Sequence, residues 1–153
     1  KLFGSVSQDL LKHCHAPTLF IPPNISFNPI DKIAVALDKN GICDHSKIVL
    51  LEMLNKLNAK LEFIHIKNHD KEFFNEKFVF ELEKAFGQNR VGFTEIKTSE
   101  PFNTLNQFCA EQNIQMLSLL RKERSFFEEL FHSSFTTKAA VQTKLPLLII
   151  NQS

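Results

Sequence analysis

Several histidines and serines lie close together in the sequence, and these are residue types of hydrolase and metal sites. His132 precedes Ser133 and Ser134, but sequence neighbours do not make a triad, and no G-x-S-x-G turn follows a strand pattern. His13 and His15 are two residues apart and would lie on different sides of a helix, which makes them a poor metal pair. We therefore expect no metal site and no enzymatic activity.

The cysteines indicate no cofactor either. Cys14, Cys43 and Cys109 are far apart, and no two of them have the C-x-x-C spacing of a zinc or redox site. Reduced thiols, partly packed in the core of a cytoplasmic protein, are the expectation.

His65 and His69 lie at the end of a strand pattern, where structural or surface roles are expected.

The composition is that of a soluble globular domain. The chain has 153 residues, of which 43% are hydrophobic and 23% charged, typical of one ordinary domain. A net charge of +1 creates no field that would attract nucleic acid or an anionic membrane. No apolar run approaches the roughly 18 residues of a membrane span. With 16 Phe and neither Trp nor Tyr, the aromatic residues indicate core packing rather than base stacking.

Strand-like and helix-like segments alternate along the chain. Buried or alternating apolar patterns predict strands over residues 32–38, 60–66, 90–98, 114–120 and 145–151. Helical spacing predicts helices from a cap at Asp44 to about Asn58 and over residues 71–86, 101–113 and 136–144. Five strands alternating with four helices predict an α/β fold with a parallel sheet covered on both faces.

The two ends of the sequence share one pattern. At a fixed offset Pro17 matches Pro146, Gly4-Ser5 matches Ser133-Ser134, and residues 19–21 match residues 148–150. Each end thus carries a helix, then a proline, then a short apolar strand. The first of these helices is predicted from Val6 to about His13.

This closing pattern resembles that of universal stress protein domains, in which a glycine-serine pair starts the last helix and a proline introduces the last strand. KIAVALD and KLEFIHI likewise resemble the first and second strands of that family. The resemblance implies a doubly wound five-stranded parallel sheet of order 3-2-1-4-5 over residues 31–153. Residues 1–22 would be the closing helix and strand of a preceding domain of the same kind, and residues 23–30 a Pro-rich linker.

The resemblance also implies a nucleotide site at the point where the strand order reverses. ATP-binding members carry a loop G-x2-G-x9-G-[ST] after the fourth strand. Alignment on the closing proline places Leu120, Glu123 and Ser133 at its glycines, and only Ser134 matches. The loop is therefore expected to be degenerate, because side chains replace bare backbone where phosphates would lie.

Two interpretations of this site stay open. In the first, Asp38 and Ile66 hold adenosine, while Arg121, Lys122 or Arg124 and the helix that starts at Ser134 hold phosphate. In the second, Asp38 caps a turn and the basic loop is solvated.

We therefore expect a stress-response protein that acts as a non-catalytic binding or interaction module without a bound cofactor. The alternative is an adenine-nucleotide-binding protein, for ATP or AMP, with weak or no ATPase activity. Nucleotidyl transfer would need an S-G-G-x-D or H-x-G-H motif, and neither is present.

Self-association is the last expectation. The strand from Thr18 to Pro22 is predicted to pair antiparallel with that from Pro146 to Asn151, within one chain or exchanged between two. A homodimer is predicted from this edge pairing.

Overall fold

The computed structural model describes residues 15–67, 72–121 and 144–152. Its strands are β1 (Thr18–Phe20), β2 (Lys32–Leu37), β3 (Lys60–Lys67), β4 (Val91–Lys97), β5 (Met116–Arg121) and β6 (Leu147–Asn151). Its helices are α1 (Asp44–Leu57), α2 (Glu76–Phe86) and α3 (Pro101–Glu111), with one 3-10 turn at Gln88–Arg90. The predicted helices at the two ends, 6–13 and 136–144, lie outside the described residues.

All six strands form one sheet in the order β1-β6-β5-β2-β3-β4. Strands β2 to β6 are mutually parallel, and taken in chain order they follow the pattern 3-2-1-4-5. The predicted α/β class and parallel order are confirmed. The sheet has a sixth strand because β1 is added antiparallel to β6.

Alternation along the strands divides the core into two clusters, one on each face of the sheet. The α3-side cluster contains residues such as Ala34, Ile64 and Leu119 packed on Phe102 and Leu105 of α3. The α1-side cluster includes Val35, Phe63 and Leu120, packed on Leu50 and Leu54 of α1 and on Leu82 and Phe86 of α2. Burying each such side chain contributes about 1.5–3 kcal/mol, so both helical layers are held to the sheet chiefly by apolar contact.

The start of α1 corrects one prediction from the sequence. The residue that caps the helix is Cys43, which makes no side-chain capping bond, and Asp44 is the first helical residue. Asp44 pairs instead with Lys47 at 3.1 Å. The helix ends where Asn58 takes a left-handed φ of 51° and donates its N–H to the carbonyl of Leu54, an ordinary helix stop.

Helix α2 begins later than the predicted residue 71. Its first residue is Glu76, and Asn75 caps it by accepting a hydrogen bond from the Phe78 N–H at 3.0 Å. The preceding N–H groups, of Phe73 and Phe74, are bound by the side chain of Glu95. A side chain from β4 therefore binds the segment that directly precedes α2.

Strand β1 is shorter than the predicted residues 18–22 and pairs within its own chain. Its register sets Thr18 opposite Ile149, Leu19 opposite Leu148 and Phe20 opposite Leu147. The predicted antiparallel pairing is thus present in the intramolecular form, whereas the homodimer stays a prediction. In the described ranges no helix combines the length and the apolar character needed to cross a membrane.

Candidate functional site

The strand order reverses at β2, which lies between β3 and β5. In doubly wound sheets the carboxyl ends of the strands at such a point form the usual ligand crevice. Asp38 directly follows β2, Ile66 is the second-to-last residue of β3, and Arg121 is the last residue of β5. The structure therefore brings three of the four predicted site positions to the same edge of the sheet. The fourth, Ser134, lies outside the described residues.

Asp38 caps the turn that follows β2. Its Oδ1 accepts the backbone N–H of Asn40 at 2.8 Å, and its Oδ2 accepts the Asn40 side-chain amide at 2.9 Å. The Asp38 carbonyl accepts the Gly41 N–H at 3.0 Å. Gly41 has a φ of 71°, which disfavours any side chain at that position. This geometry matches the second of the two sequence interpretations, in which Asp38 is a turn-capping acid.

Gln152 joins the loop after β2 to the end of β6. Its side chain is 7% exposed; its Oε1 accepts the Cys43 N–H at 2.6 Å, and its Nε2 donates to the Gly41 carbonyl at 3.1 Å. Sequence reasoning did not identify this residue. The available signal was slight, because a polar amide after the last apolar strand looks like any chain end.

His65 is buried beside the end of β2. Its Nδ1 lies 3.0 Å from the Leu37 carbonyl oxygen, and because a carbonyl only accepts, Nδ1 carries the hydrogen. The imidazole stacks on the ring of Phe73, with centroids 3.8 Å apart and planes inclined by 13°. His65 therefore ties β3 to β2 and supports the segment before α2, a structural role as expected. His69 lies outside the described residues.

Glu95 holds the same segment from the next strand, β4. Its Oε1 accepts the N–H groups of Phe73 at 2.6 Å and Phe74 at 2.9 Å, and its other oxygen pairs with Lys67. Burial alone would raise the pKa of Glu95, but the hydrogen bonds from Lys67 and from the two backbone N–H groups outweigh it and lower the pKa from 4.5 to about 2. The sequence predicted only a strand over residues 90–98 here, and this anchoring contact was missed.

Leu120 is a buried residue of strand β5. It is inside β5, opposite Ile150, and its side chain is 2% exposed within the α1-side cluster. The strand continues to Arg121, and strand alternation turns Leu120 inward; that its side chain takes the place of a glycine in a phosphate loop stays a prediction. The other loop positions of that hypothesis, Lys122, Glu123, Arg124 and Ser133, lie outside the described residues.

Cys43 and Cys109 are the free cysteines within the described residues. Cys109 is buried on α3, and burial raises its pKa to about 12, so it is a neutral thiol at physiological pH. Cys43 Sγ lies 3.3 Å from the buried Ser46 Oγ. Within residues 15–67, 72–121 and 144–152 no three His, Cys, Asp or Glu side chains group so as to hold a metal ion.

Solved structures similar to this chain share its architecture. A universal stress protein from Archaeoglobus fulgidus DSM 4304 superposes with a TM-score of 0.69 at 16% sequence identity, over 99% of this chain and 55% of that one. This chain has the universal stress protein fold. It spans little more than half of that archaeal structure.

Two further structures with the universal stress protein fold differ in length. A universal stress protein in complex with cAMP matches 82% of this chain and 100% of its own, with a TM-score of 0.58 and 14% identity. A putative universal stress protein from Pseudomonas aeruginosa UCBPP-PA14 matches 98% of this chain and 57% of its own, with a TM-score of 0.59 and 11% identity. No protein-family model and no curated protein sequence matches the chain.

Proposed function

We propose that this protein is a stress-response protein that acts as a non-catalytic binding module. The observation that carries the proposal is the pairing of Asp38, the acid at the strand reversal, with Asn40. Both carboxylate oxygens accept hydrogen bonds from that residue. These bonds hold the carboxylate in its own turn, which favours a turn-capping role for Asp38.

The neighbouring groups support the same proposal. The His65 Nδ1 is committed to the Leu37 carbonyl, and one face of its ring is covered by Phe73. Gln152 is committed to the loop backbone. Asp38, His65 and Gln152 each bind the backbone or a near neighbour at this edge of the sheet. Side chains held in this way favour a fixed surface over proton exchange with a substrate.

A second candidate function is adenine-nucleotide binding, with ATP or AMP as ligand and weak or no ATPase activity. It is favoured by the similarity to the universal stress protein in complex with cAMP, which this chain matches over that protein's whole length. Asp38 and Ile66 lie at neighbouring strand ends, as a base and ribose would require. Each Asp38 oxygen accepts one hydrogen bond from Asn40 and keeps a second lone pair, so a ribose hydroxyl can donate to Asp38 without displacing Asn40.

Thermal shift with ATP, AMP and cAMP at millimolar concentration tests both candidates. A non-binding module should show no change in melting temperature, because even a ligand present at its Kd adds only about 0.4 kcal/mol. ADP release from ATP should stay at the rate of buffer alone. The matched variants are Asp38→Ala and Asp44→Ala, the second replacing an exposed acid that pairs with Lys47.

A shift of several degrees that disappears in Asp38→Ala and persists in Asp44→Ala would establish the second candidate instead. If only AMP or cAMP gives that shift, the ligand is a monophosphate. ATP turnover above the buffer rate would contradict the non-catalytic proposal.

A further inference from the structure

Asn40 and Gly41 form a pair that can react with each other without help from another side chain. Of the four glycines in the chain, only Gly41 directly follows an asparagine. A glycine has no Cβ, so its backbone nitrogen is open to the carbonyl carbon of the preceding asparagine side chain. Asn40 is exposed in the turn after β2, where water reaches it. The pair is therefore a candidate site of deamidation.

Deamidation at this pair needs water as its only co-reactant. The Gly41 nitrogen bonds to Cγ of Asn40; the bond from Cγ to Nδ2 breaks, and the departing nitrogen takes up the Gly41 proton and leaves as ammonia. Water then opens the resulting cyclic imide at one of its two carbonyls. The product is aspartate, or isoaspartate if the backbone runs through the former side-chain carbonyl. Either product carries a carboxylate where Asn40 carried an amide.

Asp38 holds both reacting groups of this pair in other contacts. Its Oδ2 accepts a hydrogen bond from the Asn40 side-chain amide at 2.9 Å, and its carbonyl accepts the Gly41 N–H at 3.0 Å. Its Oδ1 accepts the Asn40 backbone N–H at 2.8 Å, and Gln152 donates to the Gly41 carbonyl at 3.1 Å. Cyclisation requires the Asn40 amide to leave Asp38 and the Gly41 N–H to lose its acceptor. The closed turn therefore opposes the reaction.

The product of deamidation cannot restore these contacts. An ionised carboxylate at position 40 only accepts hydrogen bonds, so it has no hydrogen to donate to Oδ2 of Asp38. Two negative charges then face each other where the amide contact was 2.9 Å long. Isoaspartate also lengthens the backbone before Gly41, whose carbonyl is bound by Gln152. Deamidation would therefore keep the turn open at the strand that marks the reversal of the strand order.

We propose that Asn40 is a deamidation site guarded by Asp38. The closed turn slows the reaction, opening of the turn starts it, and the new carboxylate prevents the turn from closing again. The modification thus marks chains in which this turn has opened. Asp38 acts here as a positioning residue, because it holds the amide away from the Gly41 nitrogen. The inference is independent of whether a nucleotide binds.

Rates of deamidation test the guarding role. Wild type, Asp38→Ala and Asp44→Ala are incubated folded, as circular dichroism verifies, and the wild type is also incubated unfolded in urea. Mass spectrometry of the peptide that contains Asn40 measures the conversion of amide to carboxylate. The unfolded chain and Asp38→Ala should react about tenfold faster than the folded wild type, the factor by which one hydrogen bond to a charged group shifts an equilibrium. Asp44→Ala removes an exposed acid that pairs with Lys47 and should react as slowly as the wild type.

Other rates overturn the proposal. An unfolded chain that keeps its amide would show that Asn40 is no deamidation site, and a folded wild type that reacts as fast as the unfolded chain would show that the turn gives no protection. Rapid reaction of Asp44→Ala would assign the effect to a general loss of stability. If Asp38→Ala does not fold, Asp38→Ser replaces it, because a hydroxyl still accepts the Asn40 N–H but is too short to hold the amide. A folded variant at Asp38 that reacts at the wild-type rate refutes the guarding role.

Melting temperatures test whether the product keeps the turn open. Asn40→Asp should melt about 2–4 °C below Asn40→Ala, because both lose the amide contact and only the first opposes two carboxylates. Asp38→Asn combined with Asn40→Asp sets an amide against a carboxylate again and should recover most of that loss. If Asn40→Asp melts like the wild type, or if the double variant melts no higher than Asn40→Asp, the new carboxylate does not hold the turn open.

Discussion

At the scale of residues, two carboxylates near the strand ends are held by backbone N–H groups. Asp38 binds within its own turn, two residues away. Glu95 binds donors that precede α2 and lie 21 and 22 residues away. Charge-assisted bonds of this type are stronger than neutral ones, so each acid fixes a loop at the candidate site, one locally and the other across the sheet.

Glu95→Gln should lower the free energy of unfolding at neutral pH and make it depend less on pH in the acid range. The folded pKa of about 2 lies below the ordinary value of 4.5, so the stabilisation is fully present above pH 4.5 and is lost as pH falls towards 2. It amounts to about 3 kcal/mol at neutral pH, for a side chain that is 16% exposed. Urea unfolding at pH 7 and at pH 3 measures this contribution. The free energy of unfolding should fall more between pH 7 and pH 3 for the wild type than for the variant.

The control for this measurement is Glu81→Gln, an exposed acid on α2. Its pH dependence should match that of the wild type. If Glu95→Gln also parallels the wild type between pH 7 and pH 3, then Glu95 does not anchor the segment before α2 through its charge.

At the scale of elements, the strand ends decide which side chains can reach a ligand. Strand β5 continues through Arg121, one residue beyond the sequence prediction. That extra residue keeps Leu120 within the regular alternation of the strand, where it joins the α1-side cluster. Leu120 is therefore a core residue of the described sheet, and we expect its replacement to affect stability.

Leu120→Ala should lower the free energy of unfolding by about 2–5 kcal/mol, because it leaves a cavity among packed side chains. Leu19→Ala, at a position 43% exposed, should cost less than about 1 kcal/mol. Chemical denaturation of the two variants provides the comparison. A Leu120→Ala protein as stable as the wild type, or one that gains affinity for ATP, would place this side chain at the phosphate position after all.

At the scale of the whole molecule, β2 to β6 and the three helices make both core clusters nearly complete without β1. Among the described residues 15–30, only Phe20 and Ile30 contribute partly buried apolar side chains to these clusters. The similar structure in complex with cAMP corresponds to 82% of this chain. The described segment before Asp31 thus contributes little to the two core clusters.

Removal of residues 1–30 should leave a chain that unfolds in one cooperative transition, since both clusters keep their buried residues. Circular dichroism during urea unfolding checks this, and the slope of the transition should fall only slightly because little surface is lost. The control is the full chain at the same concentration. A broad, non-cooperative melt of the shortened chain would mean that the first 30 residues belong to the folding unit.

The sequence by itself determined the α/β class with a parallel sheet, whereas the strand order and the antiparallel pairing of β1 with β6 were implied by the resemblance to universal stress proteins. The class follows from periodicity and from turn residues, which are legible within short windows. Only the tertiary structure decided that Glu95 anchors Phe73 and Phe74 and that Gln152 binds Cys43, 109 residues away. Such contacts depend on where the sheet brings distant strand ends together, so no local pattern along the chain encodes them.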